Sequence, residues 1–183
     1  VYDGGVKITK AAGEHAYVLN FEVASVIDAR GIRVIADPGT TRSVSVDLEQ
    51  VDGQWRISGI PDGTMVSASD FPSLFEGYTA YFFDPTYSYA VPDTRWLASR
   101  QGVAASLATL MLEGPAPYLA EAVVSAFPEG TRLAQQAVPV ASGVAGVDLT
   151  TDALDGTTFL DRQRMQQQLE LTLGPLNTVS SIR

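Results

Sequence analysis

The amino-acid sequence predicts an α+β protein, in which an antiparallel strand meander is followed by a mixed sheet covered by about three helices. Two observations predict this class. From about residue 15 to residue 60, large apolar side chains recur at every second position, which is the period of a half-buried strand. After residue 100 the spacing changes to that of amphipathic helices, and further strand-like runs follow.

Composition restricts the classes of function. The chain has 183 residues, of which 45% are hydrophobic and 18% charged, and its net charge is -9. Because phosphate contacts need concentrated Lys and Arg, this balance argues against a nucleic-acid partner. The sequence contains no cysteine, which excludes disulfides, thiolate metal sites and cysteine nucleophiles. The longest apolar runs fall short of the roughly 20 residues that a bilayer span needs, so the chain is expected to be soluble.

The first part of the chain carries the signals of the meander. Apolar side chains fall on alternate positions in residues 17–23 and 44–48. Asp37-Pro38-Gly39 and Asp52-Gly53 lie between apolar runs, where hairpin reversals need Gly, Asn or Asp. A further strand is predicted over residues 54–57.

A polar segment, residues 66–72, interrupts this alternation and predicts a junction between two domains, residues 1–72 and 73–183. Two strands are predicted after it, over residues 78–83 and 88–97. Asp84-Pro85-Thr86 joins them, because proline with a flanking aspartate favours a turn.

Helical spacing follows these strands. Apolar positions between Val103 and Met111 line one face of a helix that ends at Gly114-Pro115. A second helix is predicted to begin after Pro117, to bury one face between residues 119 and 127, and to end at Pro128, so that the pair forms a helical hairpin.

Two strands, over residues 132–140 and 143–149, and a third helix complete the predicted second domain. Thr158, with Asp161 three residues later, predicts a capping box for the helix, which buries positions between residues 165 and 173 and exposes a glutamine-rich face. The domain order is β-β-α-α-β-β-α-β. Because the chain lacks an initiator methionine and closes on a strand-like run, we expect both of its ends to be cut from a larger protein.

No catalytic, metal-binding or cofactor-binding residue is predicted. His15 stands at the start of a predicted strand, and one histidine cannot build a metal site, so we interpret it as a solvated strand-end residue. Asp152 and Asp155 could form a carboxylate pair, but Asp155-Gly156 fits a turn better. An enzyme would need an acid or base in an apolar pocket, which the sequence does not offer.

An aromatic cluster extends from Phe71 to Trp96. Such rings can stack on sugars or anchor a partner, but strand spacing favours core packing for most of them. Tyr87 and Tyr89 lie near a turn and are the predicted surface residues. They form the possible interaction surface of the chain.

Short runs follow one another in order along most of the sequence. They are Gly53-Gln54-Trp55-Arg56-Ile57, Pro61-Asp62-Gly63, Asp70-Phe71, Tyr81-Phe82-Phe83-Asp84-Pro85, Val91-Pro92-Asp93 with Arg95-Trp96, and Leu112-Glu113-Gly114-Pro115. This succession resembles the actinobacterial lipoprotein family LpqB. The later runs Ala126-Phe127-Pro128-Glu129-Gly130-Thr131 and Val147-Asp148-Leu149 are similar to the GerMN domain, which sporulation and germination proteins share.

The resemblance implies an envelope protein, lipid-anchored on the outer face of the cytoplasmic membrane, with a nuclear-transport-factor-two-like domain, a GerMN domain and a β-propeller. This chain would hold the late strands of the first domain and nearly all of the second, and would touch a membrane only through an anchor that it lacks. The implied function is that of a non-catalytic interaction or regulatory module. Its implied partner is the extracellular domain of the MtrAB sensor histidine kinase, and the alternative is a ligand-binding module for peptidoglycan fragments.

Overall fold

The structure, a computed structural model, describes residues 1–99 and 102–183, and for residue 152 it describes the backbone alone. The chain divides into two units. Unit 1 comprises Val1–Asp28 and Arg33–Leu74, and unit 2 comprises Ala29–Ile32 and Phe75–Arg183. The division of the sequence into domains at residue 72 stays a prediction.

Unit 1 is built on an antiparallel sheet. Its elements are β1 (Tyr2–Lys10), β2 (Ala16–Val23), β3 (Ser25–Ile27), β4 (Arg33–Ile35), β5 (Thr41–Val51), β6 (Gln54–Gly59) and the short helix α1 (Phe71–Leu74). Four strands pair in the order β1-β2-β5-β6, while β3 and β4 pair with each other. The predicted antiparallel meander is therefore confirmed.

The turn between β5 and β6 shows why the meander forms. Val51 pairs with Gln54, so the loop has two residues, and both Asp52 (φ 50°) and Gly53 (φ 76°) adopt the left-handed conformation. Such turns match the twist of the strands they join and favour Asp-Gly. The apolar face of this sheet is only partly covered within the described residues, since Val46 is buried whereas Ile8 is exposed.

Unit 2 combines a long hairpin, two α-helices and a small mixed sheet. Its elements are β7 (Phe75–Phe83), β8 (Ala90–Ala98), α2 (Val103–Leu112), β9 (Val140–Ala141), β10 (Val144–Ala145), a 3-10 helix (Thr151–Leu154), α3 (Phe159–Leu173) and β11 (Ser181–Ile182). Strands β7 and β8 are antiparallel. In the mixed sheet β10 is parallel to β11 and antiparallel to β9, which confirms the α+β class.

The core of unit 2 lies between β7 and the two long helices. Leu107 and Met111 of α2, Leu173 of α3 and Phe82 of β7 are buried in one apolar cluster. Both helices were predicted, and so was the capping box that begins α3, in which Thr158 and Asp161 satisfy each other's backbone N–H groups.

The predicted second helix of the hairpin is wrong. Residues 117–122 form successive turns, and Val124 exchanges backbone hydrogen bonds of 2.8 and 3.0 Å with Phe83 of β7. That pairing requires extended backbone at Val124. The helical spacing arose because Val123, Ala126 and Phe127 are indeed buried, but in an irregular segment.

The two strands predicted over residues 132–140 and 143–149 are also wrong in their extent. Over residues 132–149, all of which the structure describes, it has only the two-residue strands β9 and β10 and one isolated bridge between Leu133 and Leu149. Pro139 lacks the N–H that a ladder needs, and Ser142 and Gly143 adopt left-handed φ values of 50° and 80° in a tight turn.

An ion pair on one face of β8 is completely buried. The guanidinium Nη2 of Arg95 lies 2.6 Å from Oδ2 of Asp93, and neither side chain is exposed to solvent. Arg95 also donates to the backbone carbonyls of Arg30 (2.9 Å) and Gly114 (3.0 Å), while the Asp93 carboxylate accepts from the Ala116 N–H (2.8 Å). These bonds offset part of the large penalty for removing two charges from water.

Two polar side chains of α3 form hydrogen bonds with the backbone groups on the outer edge of β7. Thr172 accepts a hydrogen bond from the Tyr81 N–H (3.0 Å), and the amide nitrogen of Gln168 donates to the Tyr81 carbonyl (2.8 Å). The other end of the Gln168 amide accepts from the Ala126 N–H at 2.7 Å. A strand edge that would otherwise bury unpaired backbone groups is thus covered by a helix.

We expect Asp93→Asn to lower the free energy of unfolding by about 3–5 kcal/mol, because Arg95 would then be a buried charge without a counter-ion. Replacing both partners, as in Asp93→Asn with Arg95→Met, is expected to destabilise the chain less than Asp93→Asn alone. Urea denaturation measures both. Asp62→Asn, at an exposed position, is the control, and an Asp93→Asn variant as stable as this control would contradict the expectation.

Gln168→Met is expected to lower the unfolding free energy by roughly 2–4 kcal/mol, because it removes the partners of a buried N–H and a buried carbonyl. The matched change Gln163→Met, on the exposed face of α3, should alter stability by no more than about 0.5 kcal/mol. Thermal and urea denaturation of the two variants give the comparison. Equal unfolding free energies for the Gln168→Met and Gln163→Met variants would show that the hydrogen bonds of Gln168 do not stabilise unit 2.

Candidate functional site: the tyrosine cleft of unit 2

The loop between β7 and β8 is organised by the carboxylate of Asp84. Its oxygens accept hydrogen bonds from the backbone N–H groups of Thr86 (3.1 Å), Ser88 (2.7 Å) and Tyr89 (2.6 Å), and from the Thr86 hydroxyl. Four donors therefore converge on one side chain, which fixes the turn that the sequence predicted at Asp84-Pro85-Thr86.

This environment favours the ionised form of Asp84. The hydrogen bond from the Thr86 hydroxyl, followed by that from the Tyr89 N–H, lowers the pKa of Asp84 to about 2 from its ordinary value of 3.8. The loop thus keeps its organising charge over the whole neutral and mildly acidic range.

Tyr87 is held in an uncommon backbone conformation. Its φ of 57° lies in the left-handed region, which a bulky side chain rarely adopts and which is typically strained by about 1–3 kcal/mol. The Arg164 guanidinium lies 3.9 Å from the centre of the Tyr87 ring, and the Phe83 ring centre lies 5.4 Å away. These contacts hold Tyr87 in place, and strain of this kind is concentrated at functional sites.

Tyr89 stands beside it with 75% of its surface exposed. Together the loop and α3 enclose a cleft of about 520 Å³, which we call the tyrosine cleft; it is lined by Phe83, Tyr87, Ser88, Tyr89, Ala90, Gln167, Glu170 and Leu171. Exposed tyrosines on rigid backbone are effective anchors, because they offer a large contact area with few torsions to order.

The cleft combines aromatic, amide, carboxylate and aliphatic surfaces, and its lining holds no histidine. Within residues 1–99 and 102–183, no group of three or more His, Cys, Asp and Glu side chains could hold a metal ion. The arrangement can bind and orient a partner by packing and hydrogen bonding.

The structure brings both sequence-predicted residues to this cleft, with Tyr87 half-buried and Tyr89 exposed. Sequence reasoning missed Arg164, Gln167, Glu170 and Leu171. The sequence did predict an exposed, glutamine-rich face on α3. Only the tertiary packing shows that this face lies against the β7–β8 loop.

The remaining candidates lie elsewhere. His15 is exposed just before β2, and its ring centre lies 4.6 Å from that of Trp55. Asp155 is in a turn with Gly156, as predicted, while the side chain of Asp152 lies outside the described residues. Of the aromatic cluster, Phe82 and Phe83 are buried in the core as expected. In the part of the chain that the structure describes, no helix has the length and apolar character to cross a membrane.

Two family models together account for most of the chain. Residues 1–72 match the model for the N-terminal domain of lipoprotein LpqB, and residues 79–183 match the model for sporulation and spore germination proteins. The chain belongs to the LpqB lipoprotein family. The resemblance found in its sequence runs is thereby confirmed.

Curated LpqB lipoproteins of several actinobacteria are similar to this chain. That of Thermobifida fusca is 36% identical over 107 residues, covering 55% of the chain and 17% of the relative. The Rhodococcus opacus protein is 26% identical over 166 residues, with coverages of 86% and 27%. The Bifidobacterium longum protein is 24% identical over 165 residues, with coverages of 90% and 28%. The chain therefore spans less than a third of the length of these LpqB relatives.

Among solved structures, the tandem GerMN domains of the sporulation protein GerM from Bacillus subtilis resemble the chain with a TM-score of 0.47 and 15% sequence identity. The match covers 68% of this chain and 42% of the other.

The pKa of Asp84 gives the loop a defined pH response. Because the folded-state pKa lies below its ordinary value, the contribution of this charge is complete above about pH 4 and is lost as the pH falls toward about 2. An NMR titration of the Asp84 carboxyl carbon should show this midpoint. Thr86→Val should raise it toward 3.8, and a wild-type midpoint already near 3.8 would contradict the hydrogen-bonded loop.

Proposed function

We propose that this chain is a non-catalytic interaction module of a cell-envelope lipoprotein, and that its partner is the extracellular domain of a sensor histidine kinase, that of the MtrAB two-component system. The observation that carries the proposal is the tyrosine cleft. Membership of the LpqB family supports the location in the cell envelope, since the curated relatives are named lipoproteins.

The loop is suited to protein recognition because it is already ordered by its own hydrogen bonds. Asp84 holds the backbone on both sides of Tyr87, and Arg164 covers the Tyr87 ring. A partner that binds Tyr89 would therefore have little backbone entropy to remove from this surface, which favours affinity.

The location follows from the same proposal. A lipid anchor, as the name of the relatives implies, would hold the protein on the outer face of the cytoplasmic membrane. The module would then meet the extracellular part of a membrane-bound kinase without insertion of its own helices into the bilayer.

A second candidate function is the binding of peptidoglycan fragments. The observation that favours it is a separate cavity of about 630 Å³ in unit 2, within the size range of small-ligand sites. It lies at the end of α2, where Leu112, Glu113 and Gly114 line it.

Tyr89→Ala is expected to weaken binding of the purified kinase extracellular domain by at least roughly tenfold, as loss of an exposed aromatic anchor does at protein interfaces. Isothermal titration calorimetry with the full-length lipoprotein and its variants measures the effect. The fold of the variant should be unchanged, since Tyr89 is not part of the core.

Phe159→Ala is the matched control, because Phe159 is also an exposed aromatic residue of unit 2 (78% exposed) but does not line the tyrosine cleft. Its affinity should equal that of the unmodified protein. Absence of binding by the unmodified full-length protein would refute the proposed partner, and equal losses in the two variants would refute the role of the cleft.

A further inference from the structure

Two sequence runs that the tyrosine cleft does not use meet in the cavity at the end of α2. Leu112-Glu113-Gly114 forms one wall, and Phe127-Pro128-Glu129-Gly130-Thr131 forms the other, followed by Arg132 and Leu133. We call this space the motif cavity. Its volume is about 630 Å³.

Hydrogen bonds from two arginines fix the first wall. The Gly114 carbonyl accepts hydrogen bonds from Arg95 (3.0 Å) and from Arg30 (3.2 Å), and Arg30 also binds the Pro115 carbonyl at 2.8 Å. Because Arg95 is held in turn by Asp93, the end of α2 cannot shift without disturbing a buried ion pair.

Gln168 fixes the second wall. Its side-chain oxygen accepts from the Ala126 N–H (2.7 Å) and from the Ser125 hydroxyl (3.4 Å), and the Ser125 oxygen accepts from the Phe127 N–H (3.2 Å). Further along, the Thr131 hydroxyl donates to the Pro128 carbonyl at 2.7 Å. Both walls are therefore preformed, as a binding site requires.

Three charged side chains line the motif cavity without being paired. Arg132, Glu113 and Glu129 are exposed, and none forms an ion pair with another described residue. Leu112, Val124 and Leu133 add apolar surface to the same lining. A lining that combines cationic, anionic and apolar groups complements a ligand that carries both charges.

We propose that the motif cavity binds a short peptide with a free ammonium group and a free carboxylate. The Arg132 guanidinium binds the carboxylate, for which its planar donors are suited, and Glu113 and Glu129 accept hydrogen bonds from the ammonium group. Small side chains of the peptide rest on the apolar surface. The inference rests on the second proposed function and specifies that cell-wall fragments are recognised through their peptide.

The lining favours a peptide over a sugar. Phe127 is the one aromatic residue of the motif cavity, and it is buried, so no exposed ring is available there for stacking on a sugar.

An NMR titration of the isotope-labelled chain tests the inference. Trialanine with free termini should shift the amide signals of Gly114, Gly130 and Thr131 saturably, and its N-acetylated, C-amidated form should bind at least about tenfold more weakly, because charge-assisted hydrogen bonds are lost. Arg132→Gln should weaken binding of trialanine by about tenfold. Arg56→Gln, an exposed arginine of unit 1, should leave it unchanged.

The other outcomes are distinguishable. No shift at these amides with trialanine, or equal binding of the capped peptide, would overturn the inference. If an N-acetylglucosamine disaccharide shifts them and trialanine does not, the inference fails while the second proposed function stands. If trialanine binds there and an intact muropeptide does not, the site for a charged peptide is supported, while recognition of cell-wall fragments at this site, and with it the second proposed function, fails.

Discussion

The buried ion pair between Asp93 and Arg95 is the constraint on which the rest of unit 2 depends. Two charges without solvent contact are stabilising only when their remaining hydrogen-bonding capacity is used. Most of it is used here by backbone groups from distant parts of the chain, at Arg30, Gly114 and Ala116, and by the Tyr118 hydroxyl, which donates to Asp93 at 3.2 Å. Arg95 Nε has no hydrogen-bond partner among the described residues, so the cost of burying the pair is not fully offset. We therefore interpret the pair as an interaction that specifies one arrangement of these segments and not as a large source of stability.

A second polar contact has the same character. Gln168 joins α3 to the edge of β7 and to the segment around Ala126, so that irregular backbone is held as firmly as a regular element. The two networks together explain why unit 2 can keep preformed walls around the motif cavity although residues 117–139 contain no helix or long strand. The tyrosine cleft is organised separately, by Asp84 and Arg164, which allows one unit to present two surfaces.

The sequence predicted the elements whose signals are local. The alternation of residues 78–83, the apolar face that begins at Val103 and the Thr158 capping box each depend on neighbours a few residues away, and each is present in the structure. The helix predicted over residues 119–127 is wrong because Val124 hydrogen-bonds to Phe83 and Ala126 to Gln168, and no local pattern reveals either distant partner. Tyr87 and Tyr89 could be selected from their position beside a turn. Arg95 could not be recognised as a buried residue, because arginine is rarely buried and the pairing that permits it depends on the fold.

Hydrogen exchange at two backbone amides tests the central role of the ion pair most directly. The Ala116 N–H donates to Asp93, and the Trp96 N–H donates to the Gly31 carbonyl beside Arg30, whose own carbonyl binds Arg95. If the pair holds these segments, both amides should exchange only when unit 2 unfolds as a whole, at the rate of the core amide of Phe83. Exchange of Ala116 and Trp96 many times faster than that of Phe83 would show that these segments open independently and would contradict the account.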